Sequence, residues 1–370
     1  MVKKFFDTSV TNNRIFGLDL MRSAAMICVI LSHSGYRTIF GMRYGIVAVE
    51  SFFVVSGFLI GGILLRDFKD EMNWKIVGNF WIKRWFRTLP LYYAVLLLKF
   101  ILIDPSIGKN IIYYIFFLQS NIYGIDYLPV SWTLVVEEWF YLLIPFFFLI
   151  FFRNGITAKK FFMLIGAFVI AANLVRLGWV LYTDRSYGAI VGNFVFRLDS
   201  NLIGVGLAGL RLFRKDIFVS WAKPGFATVT AILIVLISVL FGYHSGGCAE
   251  PCEQHLWIRT VWFSLISILV AMIIPFFCVS PVFASKPENI RFRWFVTWIS
   301  LLSYPIYLIH VEIYKVMNPF FHELYKNNEL LQFTLNNLVV VIIGLLLYHF
   351  VDKPVLNYRA KLLKGKKTGI

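Results

Sequence analysis

Stretches of about twenty apolar residues follow one another along this chain, with basic residues gathered in the short connections between them. A hydrocarbon layer about 30 Å thick accepts such a stretch only as a helix, because every backbone N–H and C=O must find its partner within the segment. About ten spans fit, at roughly 19–36, 45–65, 88–103, 132–152, 160–182, 189–210, 225–242, 257–279, 297–317 and 332–351. Composition agrees: 59% of the 370 residues are hydrophobic and the mean hydropathy is +0.73, values foreign to a soluble domain of this length. The expected fold is an all-α polytopic membrane protein, about ten transmembrane helices around an internal polar cavity, as a single domain over 1–370.

The net charge of +16 does not point to nucleic acid, because the cations sit between apolar spans. One set of alternate connections receives Lys83, Arg84, Arg87, Lys159, Lys160, Arg211, Arg214 and the tail from Lys353 to Lys367, and the other set receives few. The positive-inside rule then makes the N-terminal segment 1–18 and the basic tail 352–370 cytoplasmic. The start has no apolar core followed by a small-residue cleavage site, so no cleaved signal peptide is expected and the first span serves as the insertion signal. Ile111 to Leu118 is apolar but too short to cross. It reads as a short interfacial helix in a long outer loop, 104–131, and long structured loops are often functional.

Polar residues inside the spans are the candidates for function. On the first span Arg22 and His33 bracket an uninterrupted run of apolar and small residues. Eleven steps of a helix turn through about 1100°, so Asp19, Arg22 and His33 share a face, with Arg22 and His33 roughly 16 Å apart along the axis. An ionisable stripe on an oily helix is a functional-site hypothesis by default. Asp19 and Arg22, three apart, are expected to pair. Glu50, Glu137, Arg176, Arg197, Asp199 and His310 fall at the depth of His33, and charges of both signs at one depth are expected to face one another around a cavity.

Six sequence blocks in order then resemble the acyltransferase-3 family of integral membrane O-acyltransferases, over most of the chain. They are Gly17–Arg22 with His33; Gly45 to Ile60 with Glu50, Phe52, Phe53, Ser56, Gly57 and Phe58; Lys83-Arg84-Trp85-Phe86-Arg87 through Pro90; Ser131-Trp132 through Glu137, Tyr141 and Pro145; Ser303-Tyr304 to His310; and Asp352-Lys353-Pro354. Ala48, Ser51 and Asp352 depart from the usual residues, and Asp352 stands where glutamate is usual, which leaves its role open.

The resemblance implies transfer of an acyl group, most often acetyl, from cytoplasmic acyl-CoA to a hydroxyl of a glycan or lipid-linked sugar, with no bound cofactor and with the bacterial inner membrane as the setting. The extracellular hydrolase-like domain of some relatives is not expected here, so transfer would be completed in the membrane domain. His33 is the expected general base or, if an acyl-enzyme forms, the covalent carrier. Arg84 and Arg87, with Arg22, are expected at the phosphates of acyl-CoA, and the Asp19–Arg22 pair would join the catalytic set by orienting a CoA group or closing the inner gate. Glu137 would orient His33 or bind the acceptor, and Glu50, Trp132, Tyr141, Arg176, Arg197, Asp199 and His310 would line the acceptor side. A transporter or channel with a polar midplane site is the rival, though paired half-repeats are not evident. A binding protein that keeps the fold without turnover is the second rival. Cys248 and Cys252 share an outer loop, where a disulfide and two free thiols both stay open; no metal site is assigned, since zinc would need His244 and His255 as well.

Overall fold

The computed structural model describes residues 14–33, 37–68, 73–123, 126–183, 187–245, 255–280, 283, 290–325 and 328–365. In chain order the helices are α1 (Phe16–His33), α2 (Arg37–Asp67), α3 (Trp74–Leu102), α4 (Ile111–Ile115) and α5 (Trp132–Phe152). Next come α6 (Ala158–Thr183), α7 (Tyr187–Val191), α8 (Leu198–Phe213), α9 (Lys215–Trp221) and α10 (Pro224–Ser245). The last are α11 (Leu256–Arg259), α12 (Trp262–Val279), α13 (Ile290–Leu324), α14 (Glu329–Leu347) and α15 (Lys353–Gly365). Among the described residues there is no strand, and 9 helices are long and apolar enough to cross a membrane. The protein is an all-α polytopic membrane protein.

The stretch expected to span at 189–210 is broken into α7, a 3-10 turn at Phe194–Phe196 and α8, which has 16 residues. Asn193 explains the break. Its backbone is extended and its side chain accepts the Val195 N–H at 3.0 Å, capping a new turn where an unbroken helix would have run on.

Contacts divide the chain into two compact units. The larger comprises Thr8–Met72 and Trp132–Ser300. Its centre is the crossing of α2 and α8, which small residues permit. A Cβ at Gly57 would run into the Asn201 carbonyl, one at Gly204 into the Val54 carbonyl, and one at Gly61 would lie 2.9 Å from the Val205 Cα. Gly57 and Gly61 are one turn apart, the small-xxx-small spacing that lets backbones approach. In lipid, helices gain little from hydrophobic exclusion, so such close packing is what holds them together. Around it Ile46, Val180, Phe196, Phe241, Trp262 and Ile266 form an apolar core. The outward side chains of α10, among them Ile232, Val235, Leu236 and Val239, are exposed, as lipid-facing residues are.

The smaller unit comprises Met1–Asp7, Asn73–Ser131 and Leu301–Ile370. Asn73 starts α3 by accepting the Ile76 N–H at 3.0 Å. The Tyr304 hydroxyl of α13 donates to the Thr88 carbonyl at 2.7 Å, and Tyr314 donates to Asn337 of α14 at 2.7 Å. A π-helical turn at Tyr348–Asp352 leads into α15, which lies back against α3: Arg359 donates to the Lys83 carbonyl at 2.9 Å, and the Tyr358 and Phe86 rings are 6.2 Å apart. The segment after α3 holds short turns at Pro105–Asn110, Gln119–Tyr123 and Pro129–Ser131 as well as α4. Ile112, Phe116 and Ile122 stand exposed on it, an apolar face suited to a membrane surface.

Candidate active site

His33 closes α1 and is exposed. Its Nδ1 lies 3.0 Å from the Val29 carbonyl oxygen and 3.2 Å from the Ser32 hydroxyl. A carbonyl can only accept, so Nδ1 carries a proton, and in the neutral ring the lone pair is then on Nε2. That is the tautomer a general base requires. The helix itself sets it, through a carbonyl one turn back.

Asp19 is buried in the first turn of α1, but it does not pair with Arg22 as expected. Arg14 takes it, with Nε 2.9 Å from Oδ2, and the Ser300 hydroxyl donates to Oδ1 at 2.8 Å. Arg14 lies just before the helix and folds back over its opening turn, where the free N–H groups also favour a carboxylate. Arg22 is half-buried one turn further on.

Four of the expected in-membrane charges form two buried networks in the larger unit. Glu50 pairs with Arg197 and accepts from Ser200 at 2.7 Å and Ser267 at 2.8 Å. Asp199 accepts from Arg176 at 2.6 Å and is also bonded by Ser264. Arg176 donates further to the Phe196 carbonyl at 2.8 Å and to Asn173 at 3.0 Å. The Arg197 guanidinium lies 3.8 Å from the centroid of the Phe263 ring, whose π face offsets part of its lost hydration. All four charged side chains are fully buried. Ser200, Ser264, Ser267 and Asn173 escape a reading by charge, since a lone hydroxyl or amide in an apolar run barely alters it. Their only signal is the spacing of Ser264 and Ser267, three apart on α12, with Ser200 on α8 and Asn173 on α6 standing alone.

Other expected residues are brought together in pairs. The Tyr141 hydroxyl and Ser56 are 2.7 Å apart, tying α5 to α2, and Trp132 meets Phe53 edge to face at 6.1 Å. Glu137 is half-buried, whereas its neighbour Glu138, which the motif does not single out, is buried. In the smaller unit His310 is fully buried with Nδ1 2.8 Å from the Tyr307 carbonyl. Lys99 and Glu312, absent from the expected site, form a buried pair there, and Lys99 lies 4.7 Å over the Tyr127 ring. Tyr127 donates to the Asp104 carbonyl at 2.8 Å. Burial, reinforced by the charges of Asp104 and Glu312, pushes its phenol up to about 12. The Asp104 carboxyl is held below its usual range by the hydrogen bond from Ser106.

Arg84 is half-buried and Arg87 exposed, one turn apart on α3. Asp352, whose role the sequence leaves open, is buried in the π-helical turn, and Arg87 and Arg359 are the cations that act on its carboxylate. Arg359 looks like one charge of a basic tail, and only the return of α15 onto α3 distinguishes it. Cys248 and Cys252 lie outside the described residues.

A sequence profile described as an acyltransferase domain matches residues 15–349. The chain belongs to the acyltransferase-3 family. It is 26% identical over 377 residues to the peptidoglycan O-acetyltransferase OatA of Listeria monocytogenes, a match covering 94% of this chain and 57% of that protein. YrhL of Bacillus subtilis is 26% identical over 371 residues, covering 92% of this chain and 54% of its own length. The chain thus spans little more than half the length of these relatives. No solved structure matches it.

Proposed function

We propose that this chain is a membrane O-acyltransferase that moves an acetyl group from cytoplasmic acetyl-CoA to a hydroxyl of a cell-envelope glycan. It works in the bacterial plasma membrane with both termini cytoplasmic, the orientation that its basic connections favour. Peptidoglycan, the acceptor in the name of OatA, is the acceptor to test first. The observation that carries this reading is the contact of His33 Nδ1 with the Val29 carbonyl, which in the neutral ring puts the lone pair on Nε2.

Nε2 removes the proton of the acceptor hydroxyl as its oxygen attacks the thioester carbonyl. The tetrahedral intermediate collapses with cleavage of the C–S bond, and the departing CoA thiolate takes the proton from the imidazolium. Arg84 and Arg87 hold donor phosphates by charge-assisted hydrogen bonds, with Arg22 as a further cation on the donor side. Glu137, half-buried on the fourth-span motif, serves the acceptor. No resident cofactor enters these steps.

The test is release of CoA thiol by purified protein given acetyl-CoA and peptidoglycan fragments. His33→Ala is expected to lower turnover about 10²–10⁴-fold while CoA binding persists. Retention of more than about a tenth of wild-type turnover would remove His33 from the role. Arg84→Ala or Arg87→Ala is expected to raise KM for acetyl-CoA and leave that for acceptor alone, with Lys restoring only part because it lacks the planar fork. Thiol release by neither wild type nor variants, with any glycan, would overturn the proposal.

A further inference from the structure

In the outer loop of the smaller unit, two polar side-chain atoms are buried without a partner among the described residues: Oε1 of Gln119 and Oγ of Ser120. Gln119 is fully buried, and the other end of its amide donates to the Ser131 hydroxyl at 3.1 Å. A buried acceptor left unmet costs about 1–3 kcal/mol, and native proteins keep few of them without a reason.

The surrounding backbone holds these atoms deliberately. Phe117, two residues earlier, has φ +55, a left-handed conformation that a bulky residue rarely adopts. Two tyrosines of α3 secure it: Tyr92 donates to the Tyr114 carbonyl and Tyr93 to the Ile115 carbonyl, each at 2.9 Å. The Tyr92 and Phe117 rings are 4.8 Å apart. The turn sends Phe117 inward and leaves Phe116 exposed, and it is followed at once by Gln119 and Ser120. Strain fixed by its neighbours beside unmet acceptors is the pattern of a preorganised binding turn.

We infer that Gln119 and Ser120 form a subsite for the glycan acceptor, receiving hydrogen bonds from a sugar hydroxyl or acetamido N–H. The chemistry is that of a neutral donor, because neither residue carries charge and both offer oxygen. The ligand class rests on the proposed function, since it is the acceptor of that reaction; the subsite itself is read from the loop alone.

The test is equilibrium binding of the disaccharide N-acetylglucosaminyl-N-acetylmuramic acid to the full chain in lipid nanodiscs, without acetyl-CoA. Ser120→Ala is expected to weaken binding about three- to tenfold, the loss of one hydrogen bond, while thermal stability stays level or rises because an unmet hydroxyl has been removed. Gln119→Leu is expected to weaken binding at least as much, with some loss of stability from the broken Ser131 bond. Wild-type affinity in Ser120→Ala would overturn the inference and assign the two atoms to an internal water. A wild-type protein that does not bind the disaccharide would overturn it as well. Binding that falls in the variants, in a protein that releases no CoA thiol, would sustain the subsite and sink the proposed reaction instead.

Discussion

The polar centre of the larger unit and the outer loop of the smaller one both bury hydrogen-bonding groups, but they treat them differently. Around Glu50 and Asp199 each carboxylate meets an arginine and at least one serine, and the helices that supply them come from distant parts of the chain. Around Gln119 and Ser120, acceptors are left unmet on a strained turn. The carboxylates there have their oxygens met, although Arg176 Nε and Arg197 Nε and Nη1 keep donors unmet among the described residues, and the network fixes which helices lie against which. Unmet acceptors on a strained turn destabilise the free protein and have binding capacity to spare. Burial of polar groups is therefore not enough to mark a functional site in a membrane protein; what separates these two regions is that the carboxylate acceptors are met in the one and the loop acceptors are not in the other.

The largest effect is expected at the buried ion pairs of the larger unit. Arg197→Ala leaves the Glu50 carboxylate buried with only serines, and loss of one partner of a buried pair typically destabilises by about 3–5 kcal/mol. Thermal unfolding in detergent should show this as a large fall in midpoint. Replacing both members together, Glu50→Met with Arg197→Met, should recover most of the loss, because no charge is then left unpaired. If Arg197→Ala costs less than about 1 kcal/mol, the site is reached by water and the contrast between the two regions fails.

How much of this was legible in the sequence follows from the same physics. Apolar runs were legible because lipid permits little besides a helix, and the stretch at 189–210 was misread because one asparagine cap outweighs its hydropathy. Buried charges were legible because a charge in lipid demands a counter-charge, yet the choice of partner was not. Glu50 and Arg197 are 147 residues apart, and Asp19 chose Arg14, behind the helix, over Arg22 within it. Hydroxyl partners such as Ser264 and Ser267 were silent, since they alter hydropathy little. The unmet acceptors of Gln119 and Ser120 were invisible for a further reason: being unmet is a property of the surroundings.

An intermediate effect is expected at the α2–α8 crossing, which holds the Glu50 network in register. Gly57→Ala puts a methyl group into the Asn201 carbonyl and should destabilise by about 1–3 kcal/mol, the usual penalty of overpacking. Gly62→Ala, five residues on, meets nothing within 4 Å and should cause no loss. Melting the two variants side by side separates close packing from the general helix preference for alanine. Equal losses would mean that the glycines are kept for flexibility and that the crossing is not what positions Glu50.

The smallest effect, and the sharpest in sign, is expected at Phe117. At an ordinary position glycine is less stable than alanine by roughly 0.5–1 kcal/mol, because it has more backbone freedom to lose. In the left-handed region the order reverses, since a Cβ meets its own carbonyl at about 1–2 kcal/mol, a conflict glycine escapes. Phe117→Ala and Phe117→Gly both delete the ring that packs on Tyr92, so the lost packing cancels between them. Phe117→Gly should then be the more stable variant by about 1 kcal/mol, read as a difference in unfolding midpoint or in protease resistance of the 104–131 loop. The reverse order would show that the turn is unstrained in the membrane, and the unmet acceptors beside it would lose the rigid frame that makes them a prepared site.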